Sequence, residues 1–166
     1  MSIFHALARS GNRRKISSSR RILGWVGVRV AAVLIRPAGG FMYEVTVEDT
    51  FAAGHYLRNY KGKCENPHGH NYKVRVTLAG KELDKAGLLL DFKDLREVMK
   101  HVIDRLDHQM INDIAPFTQL NPSAENLAKY FYDETNGRLK NVTSGRVFVR
   151  DVTIFETDTT TAKYSE

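Results

Sequence analysis

The order of hydrophobic periodicities in this chain predicts an α+β domain, a sheet with helices packed on one of its faces. Three observations carry the prediction. Period-two alternation runs through residues 43–47 and again through 70–78. Apolar residues recur at spacings of three and four through 92–106 and from Leu127 onward. A third apolar stretch, of strand type, lies between Val147 and Ile154.

Tyr43, Val45 and Val47 alternate with Glu44, Thr46 and Glu48, the pattern of a strand with one buried face. Residues 56–64 are polar and basic and read as a loop, in which Arg58, Lys61 and Lys63 are expected to be solvated. His70, Tyr72, Val74, Val76 and Leu78 alternate with Asn71, Lys73, Arg75 and Thr77, a second strand opening at His70. Residues 87–91 form a short apolar connection. Leu95, Val98, Val102 and Leu106 then predict an amphipathic helix over 92–106, with Asp107 and His108 at its C-terminal end. Asn121-Pro122-Ser123 marks the next helix start, where Ser123 caps and Glu125 suits the dipole. Asn136-Gly137 is its expected stop. Val147 and Val149 lie on one phase and Val152 and Ile154 on the other, so a bulge is expected at Arg150-Asp151. A sheet this small leaves open edges, which are commonly paired or covered.

The 166 residues suit one domain with a real core. The net charge of +6 invites a nucleic-acid reading, but its distribution argues against one. Eight of the 25 basic residues and none of the acids precede residue 42, which leaves 17 basic against 19 acidic residues beyond it. No basic groove for a phosphate backbone is evident there. Residues 1–41 therefore read as a basic extension and residues 42–166 as the globular domain, which the resemblance described below makes the catalytic one. The extension suits three accounts: a disordered or mis-called start ahead of a natural Met42, an organellar transit peptide, or a twin-arginine signal at Ser19-Arg20-Arg21. Its apolar run from Ile22 to Ile35, interrupted by Arg29, is too short and broken to span a membrane. A single cysteine permits no intramolecular disulfide, which agrees with a reducing, cytoplasmic setting unless the leader directs import.

Chemistry concentrates in Cys64-Glu65-Asn66-Pro67-His68-Gly69-His70. Strand periodicity puts His68 and His70 on one side of the backbone, where two imidazoles can share one ion. Pro67 and Gly69 constrain the entry to that strand. His55, ending the preceding apolar run, is a third candidate. A lone histidine is usually a satisfied core or surface residue, and a lone cysteine a small hydrophobe. Three histidines with an open fourth position are the ligand set of a catalytic zinc. Cys64 is then either a fourth ligand or a reacting group whose thiol a nearby cation acidifies.

His55, Cys64-x-x-x-His68-Gly69-His70-Asn71-Tyr72, Leu106-Asp107-His108 and Phe155-Glu156-Thr157 occur in that order. Together they resemble the 6-pyruvoyltetrahydropterin synthase family over residues 42–157. The three-residue gap between Cys64 and His68 resembles the 6-carboxytetrahydropterin synthase branch of queuosine (7-deazaguanine) biosynthesis most closely. The resemblance implies a tunnelling fold, an antiparallel sheet with two helices on one face. Its edges join in a homo-oligomeric barrel with active sites between subunits. It also implies a lyase with Zn2+ on His55, His68 and His70, a pterin triphosphate substrate, and neither nucleic-acid nor membrane partners. Cys64, Asp107 and His108 would be catalytic. Neighbours in sequence do not readily bond each other along a helix face, so the relay role of Asp107 and His108 rests on the resemblance. Without it His108 is a helix-end histidine. Glu156 would anchor the pterin; alone it reads as an exposed strand-end glutamate. The stretch Asp158-Thr159-Thr160-Thr161 departs from the queuosine-branch pattern, which touches substrate detail. The alternatives are a synthase that eliminates triphosphate only, giving 6-pyruvoyltetrahydropterin, and a non-enzymatic zinc- or pterin-binding module.

Overall fold

The computed structural model describes residues 42–166; the basic segment 1–41, with the start and targeting readings attached to it, lies outside the described residues. Strand β1 (Tyr43–His55) continues past the predicted alternation because Phe51, Ala53 and His55 stay on the inward phase of Val47 and are buried. Strand β2 (His68–Gly80) opens two residues earlier than predicted, so both histidines of the His-x-His belong to it. It presents Tyr72, Val74, Val76 and Leu78 inward, each fully buried. Strands β3 (Phe148–Phe155) and β4 (Thr161–Ser165) complete an antiparallel sheet of order β1-β2-β3-β4. The expected bulge is present: Thr77 faces Asp151 while Leu78 faces Val149, leaving Arg150 as the extra residue. That slip carries Val147, Val149, Val152 and Ile154 all into the core. β4 lies beyond the stretch whose periodicity marks a strand; only Ala162 and Tyr164 alternate in it, and Tyr164 packs on Tyr132 at 5.1 Å between ring centroids.

Helix α1 (Phe92–Ile103) is capped by the Asp91 carboxylate, which accepts from the Lys93 N–H at 2.8 Å. It ends a turn earlier than expected, although Leu106 beyond it is still fully buried. Helix α2 (Ala124–Thr143) is capped by Ser123 as predicted but runs through Asn136-Gly137. A Cβ at Gly137 would meet nothing within 4 Å, so that residue lies on the open side of the helix. Burial of Leu139 and Thr143 beyond it outweighs the roughly 1 kcal/mol that a mid-helix glycine costs. The stop is Ser144-Gly145, both left-handed at φ 52° and 79°.

Both helices contribute to one core with the inward face of the sheet, through Leu95, Val98, Met99 and Val102 from α1 and Leu127 and Phe131 from α2. The opposite face is a lattice of ion pairs: Glu44 with Arg150, Glu48 with Arg75 and Lys73, and Asp151 with Lys163. Thr46 and Thr77 bond across the strands at 3.2 Å between these pairs.

Candidate metal centre and its cleft

The β1–β2 register assembles the histidines. It sets His55 directly opposite His68 and Ala53 opposite His70, so one cross-strand pair and one diagonal neighbour share the inward face. Tyr72, next on that face, puts its ring edge-on to His55 and His70 at 5.8 and 5.4 Å and stacks on Phe51 at 4.9 Å. Gly54 lies between Ala53 and His55, where a Cβ would come within 3.1 Å of the Met110 side chain. That close approach lets residues 108–110 run along the edge of β1, with Gly54 N–H donating to Gln109 O at 2.9 Å.

One ligand atom from each of His55, His68 and His70 lies within 4.8 Å of the others. A carbonyl only accepts, so the 2.8 Å contacts of His55 Nδ1 with Pro122 O and of His68 Nδ1 with Asn66 O make both Nδ1 atoms donors. Each Nε2 is left with a lone pair, and the two stand 3.1 Å apart. His70 Nε2 is buried with no hydrogen-bond partner among the described residues. Two acceptor nitrogens and a third ring nitrogen without a partner, converging in this way, fit a cation. Tetrahedral bonds of about 2.0–2.1 Å to nitrogen require ligand-to-ligand edges of roughly 3.3 Å. Neither Cys64 nor Glu156 belongs to the converging trio.

Burial pushes the His55 imidazole below its ordinary value of 6.5, with the Pro122 carbonyl opposing the shift, so the ring is neutral near pH 7. The sign of the pH effect follows. Below about 6.5 the unfolded chain takes up a proton that folded His55 resists, so this contribution is complete above that value and is lost as pH falls through the folded pKa. In urea titrations of metal-free protein the midpoint should hold steady between about pH 7 and 8 and decline toward about pH 5. The decline should be shallower in His55→Asn.

A cleft of about 300 Å3 opens beside the histidines and is lined by His55, Tyr60, Cys64, Ser123, Glu156 and Thr161, among others. Cys64 sits in a single 3-10 turn (Lys63–Glu65), half-buried, and its carbonyl accepts from Leu57 N–H at 2.8 Å. Glu156 is the first residue of the β3–β4 hairpin, and its N–H donates to Thr160 O at 3.1 Å. Its carboxylate reaches within 3.6 Å of His55 Nε2 and 3.9 Å of His70 Nε2. The predicted anchor residue thus faces the histidines across the cleft. The departing stretch 158–161 turns out to be the hairpin loop and the start of β4.

Asp107 and His108 stand differently from expectation. α1 has ended at Ile103, and His108 adopts a left-handed φ of 57°, so the two neighbours do bond, Asp107 Oδ2 to His108 Nδ1 at 2.9 Å. Asp107 Oδ1 also accepts from Ala52 N–H at 2.8 Å. That N–H first, then the His108 ring, hold the carboxyl below the usual carboxylate range. The pair is pinned to the edge of β1, with His108 exposed and Asp107 half-buried, and does not line the cleft that holds Cys64. Arg58 corrects a second expectation: it is a half-buried donor to three backbone carbonyls rather than a solvated charge. No spacing in the sequence marks Asn112 as its neighbour, and Asn121-Pro122 carried only a helix-start signal.

A sheet backed by two helices carries three converging imidazoles, one of which shares a cleft with a thiol and a carboxylate, the class of site found in enzymes that use a metal ion. The profile described as "6-pyruvoyl tetrahydropterin synthase" matches residues 44–166. The chain is 30% identical over 148 residues to the 6-carboxy-5,6,7,8-tetrahydropterin synthase of Haemophilus influenzae, covering 75% of this chain and 100% of that one. It is 33% identical over 120 residues to the Bacillus subtilis protein of the same name, covering 67% and 80%. The structure of Caenorhabditis elegans 6-pyruvoyl tetrahydropterin synthase superposes with a TM-score of 0.66 at 29% identity, covering 75% of this chain and 96% of that one. The chain belongs to the 6-pyruvoyl tetrahydropterin synthase family and is a tetrahydropterin synthase-like lyase. Among the described residues no helix is long and apolar enough to cross a membrane.

Proposed function

We propose that this enzyme is a zinc-dependent lyase that converts 7,8-dihydroneopterin triphosphate and water into 6-carboxy-5,6,7,8-tetrahydropterin, acetaldehyde and triphosphate. The observation that carries the reading is the cleft in which His55, Cys64 and Glu156 meet. His55, His68 and His70 would hold the ion. When bound, zinc polarises a hydroxyl or carbonyl oxygen of the substrate side chain and acidifies the adjoining C–H. Cys64 Sγ takes the proton from that side chain. The two oxygens of Glu156 accept from the amino and ring N–H groups of the pterin, which fixes the ring and points its side chain at the histidines.

Asp107 fixes His108 with Nδ1 as donor and Nε2 free to accept, the arrangement of a proton relay. Since the pair faces outward at the edge of β1, its partner thiol is that of a neighbouring subunit in a homo-oligomer. β4 and the part of β1 before Ala52 are sheet edges that no described strand pairs, which supports such an assembly.

The test is an incubation with the triphosphate substrate, following acetaldehyde with alcohol dehydrogenase. One acetaldehyde per triphosphate released is the expected result. Triphosphate release without acetaldehyde would assign the 6-pyruvoyltetrahydropterin outcome instead. Release of neither would refute this substrate.

A further inference from the structure

Two asparagines, distant in sequence from the histidines, take the place of a missing strand beside the segment that follows β1. Tyr56 N–H donates to Asn112 Oδ1 and Asn112 Nδ2 donates to Tyr56 O, both at 2.9 Å. Two residues on, Arg58 N–H donates to Asn121 Oδ1 at 2.8 Å and Asn121 Nδ2 donates to Arg58 O at 3.0 Å. The Arg58 guanidinium closes the arrangement, donating to Phe117 O at 2.9 Å, Leu120 O at 3.2 Å and Asn112 O at 3.3 Å. Residues 112–121 are thereby tied along their length to the three residues after His55.

The end of that tie matters to the metal centre. Pro122, next after Asn121, supplies the carbonyl that holds His55 Nδ1 at 2.8 Å. Proline's ring fixes φ alone, so the segments on either side of it set where its carbonyl points. Asn121 is held by Arg58 on one side and, through its carbonyl, by Asn126 Nδ2 at 2.9 Å on the other. Ser123 caps the same Asn126. A histidine ligand is oriented and its tautomer set by whatever its second nitrogen bonds, and losing such a partner typically costs 10–100-fold in metal affinity.

We propose that Arg58, Asn121 and Asn126 form a positioning clamp for the metal ligand His55, holding the Pro122 carbonyl where it keeps Nδ1 protonated and presents Nε2 to the ion. The inference rests on the reading of His55 as a ligand. Planarity matters in it: a guanidinium holds its donors in a rigid fork, whereas an ammonium's three donors rotate on a flexible stem and fix the carbonyls less firmly.

The experiment compares wild type with Arg58→Met, Arg58→Lys and Asn126→Ala, at a temperature well below every variant's Tm. It measures the Zn2+ dissociation constant by chelator competition and the visible spectrum of the Co2+ form. Arg58→Met is expected to bind zinc about 10–100-fold more weakly with an altered Co2+ band, and Arg58→Lys not to restore either. A lowered Tm with unchanged affinity and spectrum would mean a loop scaffold only and would overturn the clamp. Full recovery in Arg58→Lys would overturn it too. Should Arg58→Met fail to fold, Asn126→Ala decides, with a loss of about tenfold expected and wild-type affinity counting against the proposal. His55→Asn separates the two levels. Wild-type affinity there removes the ligand reading and the clamp with it, whereas weak binding there beside unchanged Arg58→Met and Asn126→Ala removes the clamp alone.

Discussion

Cys64→Ala should keep its full complement of zinc and lose turnover, by about 10²–10⁴-fold if the thiol carries a proton in the rate-limiting step. The geometry favours proton transfer over ligation, the two roles that the sequence leaves open for this residue. The imidazole nitrogens converge without the sulfur, while the sulfur shares the cleft with Glu156. A thiol beside an ion rather than on it is free to exchange a proton with whatever the ion holds. Metal analysis and a single-turnover assay on the same sample check both halves. If the alanine protein comes off the column without zinc, Cys64 is a ligand and the proton-transfer role fails.

The second large effect is expected of His68→Ala. It removes the nitrogen that faces His55 Nε2 at 3.1 Å and leaves two imidazoles where three converge. Affinity should fall by more than the roughly 100-fold upper end for losing a partner around a ligand, and turnover should vanish with it. Thermal stability gives an independent reading. With free zinc about 1,000-fold above the dissociation constant, binding to the native state contributes about 4 kcal/mol, a rise in Tm that wild type should show and His68→Ala should not. A variant whose Tm still climbs with zinc would place the ion elsewhere.

These two predictions draw on different layers of information. That His68 and His70 share a face needed only the two-residue period of a strand, a property of the backbone within three residues. The outward Lys73 and Arg75 and the inward Val74 and Val76 follow from the same rule. The Arg150 bulge was readable for the same reason, since valines on opposite phases of one strand can all be buried only if the chain slips. Family motifs extended the reading to Glu156, whose place at the mouth of the cleft owes nothing to local periodicity.

Other features were beyond local rules. The stop of α2 was misplaced because Asn136-Gly137 is a breaker only where nothing beyond it gains by burial, and Leu139 does gain. The contact of Asp107 with His108 depended on α1 ending at Ile103 and on one residue turning left-handed, and both are set by how the segment lies along β1. The Arg58 clamp joins residues more than fifty positions apart through backbone carbonyls, which bear no side-chain signature at all.

The amino-acid order therefore carried the residue types and the faces they occupy, because alternation and capping act over a few residues. It took the folded sheet to decide which imidazoles meet. The pairing of His55 with His68 is one rung in an antiparallel ladder that runs from Tyr43 and Gly80, and a shift of one residue along it would turn one strand's imidazoles away from the other's.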